Sequence, residues 1–72
     1  MTREDKLNIL AMSMDIDTDE LKDDKALSSF DEWDSLAALS FMSLIYNKST
    51  KRITPAEVKN LKTVADAIAI ME

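Results

Sequence analysis

Not one glycine occurs in these 72 residues, and proline occurs once. Glycine-rich loops that cradle phosphates and tight glycine turns are therefore excluded, and a helical chain is favoured. The apolar pattern agrees. Residues recur at i, i+3, i+4 and i+7 three times: Leu7, Leu10, Ala11, Met14; Ala38, Phe41, Met42, Ile45; and Val64, Ala67, Ile68, Met71. Each quartet marks one buried stripe on one helix.

Start signals stand where these helices need them. Thr2 lies three residues before Asp5, Asp34 directly precedes Ser35, and Thr63 lies three residues before Asp66, so each can satisfy first-turn N–H groups. Thr54-Pro55-Ala56-Glu57 puts proline at a first helical position and completes a capping box, which predicts a short helix from Pro55 to Asn60 closed by Val58 and Leu61. Residues 15–34 show no helical period, only the anchors Ile16, Leu21, Leu27, Phe30 and Trp33 among many acids. They read as a long loop pinned to the core, and a loop of that length in so small a domain is either functional or ordered by its own packing. The expectation is a single all-α domain over residues 1–72: a small four-helix bundle with a long loop between helices 1 and 2 and a short third helix.

The chain has neither His nor Cys. That removes Ser/His/Asp and Cys/His catalysis, thiolate metal sites and disulfides, and it fits a reducing, cytoplasmic setting. Asp15-Ile16-Asp17-Thr18-Asp19-Glu20 alternates carboxylates like the start of a calcium loop, but Glu20 stands where glycine is needed and Ala26 where a bidentate Glu is needed. No metal site is expected. Apolar runs are too short for a membrane span, and Met1-Thr2-Arg3-Glu4-Asp5-Lys6 lacks the apolar block of a signal peptide. The net charge of −5 is uneven: residues 1–34 hold eleven acids and four bases, the rest three acids and five bases. The first half repels nucleic acid and suits a basic protein partner. Carboxylate pairs such as Asp23/Asp24 read as solvated groups, so the chain is not expected to be an enzyme.

What remains is one serine on a corner. Asp34 caps the helix that starts at Ser35, which sets the hydroxyl at the positive end of the helix dipole, where a phosphate is welcome. Phe30-Asp31-Glu32-Trp33-Asp34-Ser35-Leu36-Ala37-Ala38-Leu39-Ser40 resembles the attachment region of acyl carrier proteins, in a branch of stand-alone bacterial carriers with Trp before Asp-Ser-Leu. Ile53 to Asn60 and Lys62 to Asp66 are similar to that branch's third- and fourth-helix starts, so the resemblance covers the whole chain.

The resemblance implies that Ser35 receives 4′-phosphopantetheine from coenzyme A through a phosphopantetheinyl transferase, and that the arm carries acyl groups as thioesters. Asp34 and Leu36 flank the attachment point. The implied partners are acyl-loading and acyl-transfer enzymes of a fatty-acid, polyketide or surface-polysaccharide pathway, served by a monomer. An aminoacyl or peptidyl carrier is the nearest alternative, though the Gly-Gly-His-Ser pattern is missing; an unmodified acidic helical adaptor is the rival of another class. Leu36, Ser40, Ser43 and Asn47 share the face opposite the core stripe, flanked by Ala37 and Leu44. Leu36, Ala37, Ser40, Ser43 and Leu44 are the expected partner interface. No acid occurs between Ser35 and Glu57, whereas many fatty-acid carriers place acids on this helix, so dedicated partners that read a neutral surface are expected. Trp33 and the core-stripe residues Met14, Met42 and Met71 read as ordinary core.

Overall fold

A computed structural model describes residues 1–72. The helices are α1 (Arg3–Met14), α2 (Ser35–Ser49), α3 (Pro55–Lys59) and α4 (Val64–Ile70), and there are no strands. The expected four-helix arrangement is seen. The long connection contains two single 3-10 turns, Thr18–Glu20 and Leu27–Ser29. No helix is long and apolar enough to cross a membrane.

Local chemistry explains where each helix starts. Thr2, Thr54 and Thr63 each accept a hydrogen bond from the third helical residue, and the Asp5, Glu57 and Asp66 carboxylates in turn accept one from the N–H of the cap residue. Pro55 opens α3 at a position whose N–H no helix would use. α3 stops at Lys59, one residue short of expectation, with Asn60 as its cap.

Helix ends show the cost of having no glycine. α1 terminates at Asp15 and α2 at Thr50, both left-handed, with φ of 56° and 59°. Asp tolerates this region through its short polar side chain, whereas a β-branched Thr is strained there by about 1 kcal/mol or more. At α1 the Ile16 N–H reaches Ala11 O at 3.1 Å and the Asp15 N–H reaches Met12 O at 3.3 Å, which closes the turn.

Sixteen apolar residues form one core, with Phe41, Leu10, Leu27, Ile45 and Val64 wholly enclosed. The α4 stripe is buried as expected, although Met71 caps the helix instead of lying within it. On α1, Ile9 is buried and Leu7 only half-buried. The α2 stripe is rotated: Ala37, Phe41 and Ile45 are buried, while Ala38 and Met42 sit half-buried at the edge. The i, i+4, i+8 row fits the sequence as well as the expected quartet does, and α1, which packs most extensively on α2, decides between them.

The long loop is anchored as its apolar residues suggest: Leu21, Leu27 and Phe30 are buried, Ile16 and Trp33 half-buried. A second fastening runs through the backbone alone. Ala26 pairs antiparallel with Thr63, and Leu27 N–H donates to Lys62 O at 2.8 Å. Val64 and Ala65 N–H groups donate to the carbonyls of Lys25 and Asp23, both at 3.0 Å. Arg3 and Asp23 form an ion pair between α1 and the loop. Nowhere do three acidic side chains converge on one point.

Candidate functional site

Tight turns deliver the chain to α2. Trp33 N–H donates to Phe30 O and Asp34 N–H to Glu32 O, both at 3.1 Å. Asp34 is then extended, and its carboxylate Oδ1 accepts from Ala37 N–H at 2.9 Å while its carbonyl accepts from Ala38 N–H at 2.9 Å. The expected cap on Ser35 is therefore present. Ser35 is the first residue of a 15-residue helix and is exposed.

Neither Ser35 N–H nor Leu36 N–H has a protein acceptor, because both precede the first intrahelical bond and Asp34 is committed to the next two donors. No acid lies in the first turn. The end of α2 thus offers two unmet donors beside an exposed hydroxyl, with the capping Asp34 carboxylate as the one acid on the positive end of the dipole, and the two free N–H groups suit a phosphate ester. The phosphopantetheine arm that the resemblance implies would find here an accessible point of attachment and two free amides within reach of its phosphate.

Ser35 also opens onto a groove between α2 and α3 with a volume of about 410 Å³. Its walls are largely apolar and include Trp33, Ala38, Leu39, Met42, Val58 and Leu61. Trp33 stands edge-on to Phe41, with ring centres 5.7 Å apart and planes at 77°, so the core holds this wall in place. The rotation of α2 explains the groove: Ala38 and Met42 leave the centre of the core and become its lining.

Of the expected interface residues, Leu36, Ser40 and Ser43 are exposed and share a face, and Asn47 extends it. Leu36 is 74% exposed. Ala37 has to be corrected: at 3% exposure it belongs to the core, because it begins the buried row that includes Phe41 and Ile45. Leu44 is half-buried on the α1 side, where it lines a shallow cavity with Ile9 and Met12, so it too turns away from the exposed face. Leu39, 58% exposed and one turn beyond Leu36, is the residue that sequence reading passed over. It borders both the outer face and the groove. Its signal was an apolar residue off the stripe, three places after another.

Compared with known proteins, the chain matches no protein-family model and no curated protein.

Proposed function

We propose that this protein is an acyl carrier that bears a 4′-phosphopantetheine arm on Ser35 and presents acyl thioesters to biosynthetic enzymes. The observation that carries the reading is the exposed Ser35 on the open N-terminus of α2, at the mouth of an apolar groove. When bound, the arm supplies the thiol that a chain without Cys does not have.

Each residue then has a defined task. Ser35 Oγ would attack the pantetheine-bearing phosphorus of coenzyme A and become the ester oxygen as the pyrophosphate P–O bond breaks, with adenosine 3′,5′-bisphosphate leaving and the hydroxyl proton passing to the transferase. The free N–H groups of Ser35 and Leu36 stabilise the phosphate charge. Asp34 fixes the helix start, because its carboxylate holds the Ala37 N–H. The groove shelters the apolar part of a cargo from water. Leu36, Leu39, Ser40 and Ser43 form the neutral docking face, with Leu36 as the anchor that a partner buries. The protein works as a cytoplasmic monomer for dedicated loading and transfer enzymes, in a fatty-acid, polyketide or surface-polysaccharide pathway.

Intact-mass spectrometry after incubation with coenzyme A and a broad-specificity transferase tests this directly. The wild-type chain gains one phosphopantetheine, and Ser35→Ala gains none while keeping the helical circular-dichroism spectrum. A wild-type chain that stays unmodified would leave the acidic adaptor as the better reading, with residues 1–34 as its surface for a basic partner.

A further inference from the structure

The groove continues past Leu61. Trp33, Lys59 and Leu61 also line a second cavity of about 570 Å³, whose other walls are Ala26, Leu27, Ser28 and Lys62. Lys59 therefore stands at the junction and Lys62 beyond it. In a chain of net charge −5, this cavity is lined by two lysines and no acid.

The two lysines also lack partners, which most bases of this protein have. Arg3 and Lys6 are ion-paired with Asp23 and Glu72, Lys51 is bound by the carbonyls of Ile70 and Glu72, and Lys25 and Arg52 lie over the rings of Phe30 and Tyr46. Lys22, Lys48, Lys59 and Lys62 remain, and two of these face one cavity. The acids nearest these lysines in the fold already accept hydrogen bonds, and none forms an ion pair with Lys59 or Lys62. Asp34 accepts from Ala37 N–H, Glu57 closes the capping box with Thr54, and Asp66 accepts from the N–H groups of Lys62 and Thr63. Two ammonium groups beside one half-apolar cavity favour an anion between them.

We infer that the lysine-lined cavity selects the cargo: an acyl group with a carboxylate at its far end, its methylenes along the groove and its carboxylate at Lys59 and Lys62. This rests on the reading of Ser35 as the attachment point. A methyl-ended chain has no gain to make at this cavity, and an ammonium-ended chain is repelled.

The test loads Ser35 enzymatically with three thioesters of equal length, ending in methyl, carboxylate or ammonium, and follows hydrolysis at fixed pH by intact mass. Each rate is divided by that of the same thioester on free pantetheine. Anchoring the distal end holds the thioester in the groove, so the carboxylate-ended cargo should survive about threefold longer than the methyl-ended one, the size expected of partly exposed charge pairs. In Lys59→Gln/Lys62→Gln the advantage disappears, and in Lys59→Glu/Lys62→Glu it passes to the ammonium-ended cargo. Both side chains are solvent-facing and unbonded, so these variants keep the fold. Equal lifetimes in the wild type, or an advantage that persists in the Gln variant, overturn the inference and leave the carrier reading intact. Failure of the wild type to gain any arm overturns both.

Discussion

At the N-terminus of α4 all four first-turn N–H groups end on protein oxygens: Val64 on Lys25 O, Ala65 on Asp23 O, Asp66 on Thr63 Oγ1 and Ala67 on Thr63 O. At the N-terminus of α2 only Ala37 and Ala38 are so placed, both by Asp34. Asp66 adds a carboxylate to the first turn of α4, and α2 has none. One helix end is finished by the fold itself. The other is left half-made, next to an exposed serine, and the difference shows that a helix needs only two of its four donors met to start cleanly. The remaining two are free for use.

The largest test of this contrast is Ala37→Glu, which puts an acid at the position Asp66 holds in α4. A helix end that merely lacked an acid would gain stability. Ala37 is in the core, so the buried charge should instead cost about 3 kcal/mol in denaturant unfolding followed by circular dichroism. A neutral result would mean that α2 can rotate, and the account of its buried face would fail.

Removing the caps sharpens the comparison. Asp34→Ala and Thr63→Ala should each lower stability by about 1 kcal/mol. Only Asp34→Ala should also slow attachment of the arm, measured by intact mass over time. Equal attachment rates in both variants would deny the end of α2 any special part.

A smaller effect is expected from Leu36→Glu, an exposed acid in the first turn of α2. It should stabilise by about 0.5 kcal/mol through the helix dipole. The same charge opposes the incoming phosphate, so attachment should slow while thermal stability rises slightly. Faster attachment would show that the transferase reads charge there and that the open donors do not matter.

The least effect concerns acid. Hydrogen bonds from the N–H groups of Lys62 and Thr63 hold the Asp66 carboxyl below the ordinary aspartate range, and the Thr2 N–H does the same for Asp5. A folded-state pKa below the unfolded one gives stability that is present above the unfolded value and fades as pH falls through the folded value. Asp66→Asn should therefore flatten the acid limb of the stability curve. Carboxyl shifts followed by NMR should show Asp5 and Asp66 titrating below the ordinary aspartate range, and ordinary titration of Asp66 would remove this part of the contrast.

What could be read from sequence follows the range of the interaction. The caps at Thr2, Asp34, Thr54 and Thr63 act over three residues, so the chain displays them directly. The exposed Ser35 follows from its cap. The rotation of α2 does not, because Ala37 and Ala38 are chemically identical and only the packing of α1 separates them. The groove was equally hidden, since its walls come from residues 33–42 and 55–61, brought together only by the fold. Nor could the pairing of Ala26 with Thr63 be foreseen, as backbone bonds between two irregular segments leave no side-chain pattern.

Lys51 has a mechanical consequence. Its Nζ is bound by Ile70 O at 2.7 Å and Glu72 O at 2.8 Å, which fixes the chain just before α3 to the end of α4. Just after α3, Lys62 O is fixed by Leu27 N–H. Residues 52–61 thus form a strap tethered at both ends, and within it only Ile53 and Val58 are fully buried. Lifting the strap exposes two side chains, at about 1.5 to 3 kcal/mol each, whereas releasing α2 would expose Phe41 and the centre of the core. The molecule can therefore breathe at α3 without unfolding. Amides of α3 should exchange with solvent well ahead of those in α2, and the groove beside Ser35 can widen while the rest of the bundle stays closed.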